Sequence, residues 1–81
     1  MKKKEPGRLV EVEWIDSCGP ARKWHDPEIL KTYKATTCYS VGWLARKDKQ
    51  TIVLAASYGQ DEVGDISAIP AQCVKRIRRL K

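Results

Sequence analysis

Two neighbouring stretches decide the fold: TTCYSVGWLARK at residues 36–47 and TIVLAASY at residues 51–58. Both are rich in β-branched and aromatic residues, and their side chains alternate between two faces, as in strands. The polar residues 47–50 between them predict a hairpin turn. Gly42 predicts a bend or bulge in the first strand, whereas the second is apolar on both faces and is predicted to be central. Trp43 falls on an apolar face, which predicts a core position.

Three more strands and one helical segment are predicted outside this hairpin. Residues 8–15 alternate apolar with acidic side chains, which predicts a strand with one solvated face and with Trp14 in the core. Residues 26–28, Asp-Pro-Glu, are a typical helix start, so one or two helical turns are expected in the long first connection. Residues 63–69 and 74–80 predict the last two strands, with a short helical turn between them. The spacing of the final segment also suits a short helix, and the sequence leaves that alternative open.

This order of elements predicts an all-β fold with one short helical turn. A long first connection, tight hairpins and a single turn before the last strand are the order of small five-stranded barrels of the Src-homology-3-like and Sm-like types. Closing the sheet would also remove its open edges. We expect residues 1–7 to be a disordered basic lead-in and residues 8–81 to form the single β-barrel domain.

Composition predicts a folded protein of the cytoplasm. Apolar residues make up 42% of the 81 and charged residues 32%, which fits a globular domain. The longest uncharged apolar run, residues 52–56, is too short to span a bilayer, and no signal peptide is apparent. The three cysteines are widely spaced and lack a Cys-x-x-Cys pair, so we expect small buried thiols and no disulfide framework, metal or cofactor.

The net charge of +6 is concentrated at the two ends of the chain. Such a balance favours an anionic partner, which can be nucleic acid, a nucleotide or an acidic protein face; alternatively, it keeps a small domain soluble. In an edge strand the C-terminal cations could line a groove for phosphates, or they could block edge-to-edge pairing. The predicted basic surface consists of Lys75, Arg76, Arg78 and Arg79.

A second candidate region combines an aromatic ring with cations. Trp24 lies in a polar loop, where it could stack on a base while neighbouring cations meet phosphate, or could fold down as a lid over one end of the barrel. Tyr58 ends a strand, where barrels present ligand contacts, although a strand-end tyrosine also packs in this way. The predicted ligand contacts are Arg22, Lys23, Trp24, His25, Ser57 and Tyr58.

Motifs of catalysis are absent from the sequence. There is no nucleophile elbow, phosphate-binding loop, dinucleotide fingerprint or metal-binding helix motif. His25 beside Asp26 could be a base with its orienting carboxylate, and Ser17 or Cys18 lies nearby. Proximity along the chain does not make a triad, however, and the sequence predicts that the protein is not an enzyme.

Several segments resemble a group of short proteins encoded by bacteriophages and prophages. The resemblance covers residues 9–80 and is carried by structural motifs. The segments are SVGWL (40–44), IVLAAS (52–57), VGD (63–65), IP (69–70), VEWIDS (12–17) and WHDP (24–27). The resemblance implies a phage setting and no catalytic residues. It also implies that host factors or defence systems are possible targets, in some cases through a trapped nucleotide signal.

The predicted function is therefore that of a phage-encoded accessory binding protein without enzymatic activity. Its ligand is expected to carry phosphate, either as nucleic acid or as a signalling nucleotide withheld from host defence. The alternative is a protein–protein interaction module that inhibits a host factor through its basic surface. A homo-oligomer is compatible with either hypothesis, since Sm-like barrels form rings.

Overall fold

The computed structural model describes residues 5–16 and 24–80, and this part of the chain is mostly antiparallel β-structure. The all-β prediction is confirmed, and the last segment is a strand rather than a helix. The strands are β1 (Arg8–Asp16), β2 (Thr36–Lys47), β3 (Thr51–Tyr58), β4 (Val63–Pro70) and β5 (Val74–Arg79). One short α-helix, α1 (Ile29–Thr32), follows β1, and a 3₁₀ turn (Ala71–Cys73) precedes β5.

The strands form a single sheet in the order β4-β3-β2-β1-β5. Every neighbouring pair is antiparallel. The sheet is not closed: among the described residues β4 pairs with β3 alone and β5 with β1 alone. Within the described part of the chain, both outer strands therefore present one edge without a strand partner, and these two edges differ in their chemistry.

Strand β2 is shared by two parts of the sheet, which bends where they meet. Residues 36–44 pair with β1, whereas residues 43–47 pair with β3, and the register shifts between Leu44 and Arg46. A side chain at Gly42 would place its Cβ 2.9 Å from the carbonyl oxygen of Ala55. Glycine is therefore required for the close approach of the two strands at the predicted bend.

The bend brings β1 against β3 and β4, so that one cluster of side chains forms the core. Its buried members are Val10, Val12, Ile52, Leu54 and Ile69, and Trp14, Leu44, Val74 and Ile77 pack against it half-buried. Burial of each large apolar side chain contributes about 1.5–3 kcal/mol. The indole N–H of Trp14 donates a hydrogen bond of 3.0 Å to the Ser40 hydroxyl, so the ring has its polar edge satisfied at the margin of this core.

The hairpin between β2 and β3 is held by one carboxylate. Asp48 accepts backbone hydrogen bonds from Gln50 at 2.9 Å and Thr51 at 2.8 Å, as the polar turn chemistry predicts. These two N–H donors stabilise the charged form and hold the pKa of Asp48 below its ordinary value, with a smaller contribution from Arg46. The backbone N–H of Ala71 donates to the Gln50 carbonyl at 2.9 Å, which ties the 3₁₀ turn to this hairpin.

The predicted helical segment is present and is one turn long, although it begins at Ile29, later than the Asp26 start that the sequence indicates. The Asp26 carboxylate accepts a hydrogen bond of 3.0 Å from the backbone N–H of Glu28. The backbone carbonyl of Asp26 accepts one of 3.0 Å from the backbone N–H of Ile29. Leu30 is largely exposed, and α1 contacts no strand extensively. Within the described residues, no helix has the length and apolar character needed to cross a membrane.

Candidate binding surface

A ladder of ion pairs connects β1 with the edge strand β5. The register places Glu11 opposite Arg78 and Glu13 opposite Arg76. Arg78 Nη2 lies 3.2 Å from Glu11 Oε1, and Arg76 Nε lies 3.7 Å from Glu13 Oε1. A register shift after Glu13 also brings Lys75 Nζ to 3.6 Å from Glu13 Oε2. The predicted basic surface is therefore coupled to two carboxylates that sequence analysis did not assign to it.

The cations of this ladder lie outside its carboxylates. The side chains of Lys75, Arg76 and Arg78 are 53–65% exposed. Those of Glu11 and Glu13 are only 23% and 19% exposed, respectively. Three cations face two carboxylates, so a positive charge is left over. Although internally paired, the ladder presents a basic surface to an approaching molecule. Exposed pairs of this kind each contribute about 0.2–1 kcal/mol to stability.

An exposed apolar stripe on β2 borders the ladder. Tyr39 lies opposite Glu13 and Val41 lies opposite Glu11, so all four side chains share one side of the sheet. Tyr39 is 61% exposed and Val41 is 54% exposed. We call this surface the outer face; it consists of Glu11, Glu13, Tyr39, Val41, Lys75, Arg76 and Arg78. It combines apolar side chains with a basic rim.

Trp43 continues the stripe, and its predicted core position is wrong. Gly42 and Leu44 face the interior, so the residue between them points to the opposite side of the sheet, beside Leu9 of β1. Trp43 is half-buried there, because the ring of Tyr58 packs edge-on against it with centroids 4.9 Å apart and an interplanar angle of 85°. The ring of Tyr58, a predicted ligand contact, is therefore already engaged within the protein.

Ser57, another predicted ligand contact, lies beside an acidic depression. Its hydroxyl donates to Asp65 Oδ2 at 3.1 Å. Residues 57–64 line an open depression of about 470 Å³, and the acidic residues Asp61 and Glu62 are among them. These negative charges disfavour a phosphate group at this position.

The other predicted ligand contacts lie in the first connection. Trp24 is 88% exposed, so it does not form a lid over the sheet. His25 is exposed beside it. Arg22 and Lys23 lie outside the described residues, as does Cys18. The structure therefore does not bring Trp24 together with Ser57 and Tyr58 in any described contact.

The described side chains form no evident metal centre. Within residues 5–16 and 24–80, no group of three or more His, Cys, Asp or Glu side chains could hold a metal ion. Cys38 and Cys73 are half-buried rather than fully buried as predicted, and the Cys38 thiol donates to the Thr36 carbonyl at 3.9 Å.

Sequence reasoning found the cations of the outer face and missed the rest of it. Glu11 and Glu13 alternate with apolar residues, as do Arg76 and Arg78 around Ile77, which indicated two half-solvated strands. The alternation does not indicate that these strands are neighbours, because β1 and β5 come from opposite ends of the chain.

Comparison with protein-family models, curated proteins and solved structures gives no match.

Proposed function

We propose that the protein is a binding module without enzymatic activity, and that its outer face contacts an acidic surface of a partner protein. One observation supports this above the others: the cations of the ladder are more than half exposed, whereas their carboxylates are mostly covered and lie beside exposed Tyr39 and Val41. Protein interfaces commonly combine an apolar centre with a charged rim that selects the partner. An acidic partner surface with apolar side chains is complementary to this face.

The shape of the molecule favours a macromolecular partner over a small ligand. The cations lie along β5, whereas the depression is lined by residues 57–64, which include two acidic residues and no basic one. Small-molecule sites are concave and surround most of their ligand. A signalling nucleotide needs a cavity that also carries positive charge for its phosphates. Here the cations of the ladder and the depression at residues 57–64 are in different parts of the protein.

A phosphate-bearing ligand, above all nucleic acid, is the second candidate. Trp24 is almost fully exposed and follows Arg22 and Lys23 in the chain, and the protein carries a net charge of +6. A base stacked on the indole with phosphates on nearby cations would use this arrangement. Such binding weakens steeply with salt, because phosphate neutralisation releases counterions.

We also propose that the sheet belongs to the small-barrel type, Src-homology-3-like or Sm-like. The strand order, the division of β2 between two parts of the sheet and the 3₁₀ turn between β4 and β5 support this assignment. The resemblance to phage and prophage proteins supports a role as an accessory protein acting on a host factor in the host cytoplasm. In that setting the acidic partner surface belongs to the host protein.

The experiment that tests the function compares two anions of different chemistry. We would record amide NMR spectra of the full chain with oligo-glutamate and with oligo-thymidylate of matched charge, at low and moderate salt. The proposal expects oligo-glutamate to shift resonances of Tyr39, Val41 and β5. Shifts confined to the neighbourhood of Trp24, with oligo-thymidylate alone, would favour the nucleic-acid candidate instead. If neither anion perturbs the outer face, the proposed function is wrong.

A further inference from the structure

On one side, the edge strand β5 pairs with β1, whose residues at this position alternate between acidic and apolar. There β1 presents Glu11, Val12 and Glu13 opposite Arg78, Ile77 and Arg76. The two glutamates contact cations on the outer face, and Val12 is fully buried against the core that Ile77 helps to cover. An acidic–apolar–acidic sequence is thus the complement that the protein itself uses for β5.

Among residues 5–16 and 24–80, no strand pairs with the opposite side of β5, which presents the same side chains. In the sheet order β5 is outermost, so a strand joining its open edge would lie next to Arg76, Ile77 and Arg78 just as β1 does. Directly opposed side chains on adjacent strands lie close enough to interact on both sides of a strand. The charge remaining on the ladder is positive, since Lys75, Arg76 and Arg78 share two carboxylates.

We propose that the open edge of β5 binds an extended segment of a partner protein with the pattern acidic–apolar–acidic. This inference rests on the proposed function and names the segment that the acidic partner contributes. The partner's two acidic side chains lie opposite Arg76 and Arg78, and its apolar side chain lies beside Ile77 at the margin of the core. The pattern reads the same in both directions, so it fits either strand orientation.

Backbone pairing distinguishes this partner from a nucleic acid. An edge strand offers unpaired N–H and C=O groups, which an added peptide strand satisfies in alternation. A basic strand is repelled by the same cations, which excludes β5 of a second copy as the occupant. Charge supplies selectivity here, while the backbone of β5 supplies the geometry.

The first test uses a short peptide in which Glu-Val-Glu is flanked by serines, added to the full chain and followed by amide NMR. Its control has the same composition with the order Glu-Glu-Val, which places the acids on opposite sides of a strand. We expect the first peptide to shift the amides of β5 and to bind at least about threefold more tightly than the control. Equal binding of both peptides would overturn the pattern.

N-methylation of the peptide separates strand pairing from simple charge attraction. In a paired strand, the N–H groups of alternate residues point toward the neighbouring strand. Methylation in one phase is therefore expected to abolish binding, whereas methylation in the other phase leaves it intact. If both methylated peptides bind equally, the peptide does not pair with the edge and the inference is wrong.

A charge-swapped variant tests the side-chain part. Combining Glu11→Arg, Glu13→Arg, Lys75→Glu, Arg76→Glu and Arg78→Glu keeps opposite charges across the ladder and reverses its outward sign. This variant is expected to lose the Glu-Val-Glu peptide and to gain a Lys-Val-Lys peptide, with a thermal melt verifying that it folds. If the variant does not fold, the peptide-order test and the N-methylation test still decide the inference, because both use the unmodified protein.

The failures of the inference and of the proposed function are distinguishable. If oligo-glutamate shifts Tyr39 and Val41 while the Glu-Val-Glu peptide leaves β5 unperturbed, the function stands and the edge inference is wrong. If the unmodified chain forms oligomers and the charge-swapped variant is monomeric, a second copy of the chain occupies the edge. That result also overturns the inference. If oligo-thymidylate displaces the peptide from β5 and binds there more tightly, the edge selects phosphate rather than an acidic strand.

Discussion

The two edges of the sheet avoid uncontrolled pairing in different ways. Strand β5 is rich in basic side chains, and three of them contact the carboxylates of β1. Along β4, the backbone itself is irregular: Asp65 has a φ of 53°, a left-handed conformation that interrupts the extended strand, and Pro70 at its end lacks an N–H. The first device leaves a regular strand available to a partner of the right charge, whereas the second places a backbone irregularity within the strand and a missing donor at its end.

The apolar side chains of β4 give the largest expected effect and test which face of this edge supports the fold. Ile69 is 3% exposed, whereas Ile66 on the same strand is 60% exposed. We expect Ile69→Ala to lower the free energy of unfolding by about 2–5 kcal/mol, because it leaves a cavity in the core. Ile66→Ala is the matched control and is expected to have little effect. Urea denaturation measures both, and equal losses would contradict the placement of the core.

The next effect concerns the bend that separates the two parts of the sheet. Gly42→Ala is expected to cost about 1–3 kcal/mol, because its Cβ would press against the Ala55 carbonyl oxygen at 2.9 Å. Gly64→Ala on β4 is the control, since its Cβ would lie 3.8 Å from the nearest atom, Cβ of Ser57. If thermal melts show the two substitutions to be equally tolerated, the sheet does not bend tightly at Gly42.

A smaller, pH-dependent effect is expected at the hairpin between the two edges. The backbone N–H groups of Gln50 and Thr51 lower the pKa of Asp48 from its ordinary value of 3.8 in the folded protein. The carboxylate therefore stabilises the fold above that ordinary value, and this contribution is lost as the pH falls through the lowered folded-state pKa. Asp48→Ala should thus be more destabilising at neutral pH than in strong acid. A pH-independent difference between the two proteins would contradict this account.

The smallest effect is expected from the ladder itself. Glu13→Gln removes the carboxylate that contacts both Lys75 and Arg76, yet both cations are more than half exposed to solvent, so each pair should contribute only about 0.2–1 kcal/mol. Glu62→Gln, at the other side of the molecule, serves as the control and should be neutral. Added salt should reduce the difference between Glu13→Gln and the unmodified protein. A large, salt-independent loss would mean that the ladder has a structural role instead of a binding role.

The sequence allowed the elements of the fold to be predicted more completely than their arrangement. The alternation around Gly42 and the turn at Asp48 predicted β2, β3 and their hairpin at the observed residues, because strand period and turn chemistry are local. The face of Trp43 was assigned wrongly, since an apolar stripe does not reveal whether it faces the core or solvent. Here Tyr58 provides partial cover that no local pattern indicates.

The outer face, the proposed binding surface, was predicted only in part for the same reason. Arg76 and Arg78 could be found from charge alone, but their neighbours Glu11 and Tyr39 come from distant parts of the chain. The register of β1 with both β2 and β5 brings these residues together, and register depends on long-range packing. Trp24 is 88% exposed, which decides against the lid alternative, while its role as a ligand contact stays a prediction.

The most direct test of the central claim compares two variants that each remove three positive charges. One replaces Lys75, Arg76 and Arg78 with Gln; the other replaces Lys34, Lys47 and Lys49, which are exposed elsewhere, with Gln. Oligo-glutamate affinity is measured for both and for the unmodified chain at the same moderate salt. We expect the affinity for oligo-glutamate to fall at least about tenfold in the first variant and much less in the second. Equal losses would show that net charge alone attracts the anion, and would contradict a specific role for the outer face.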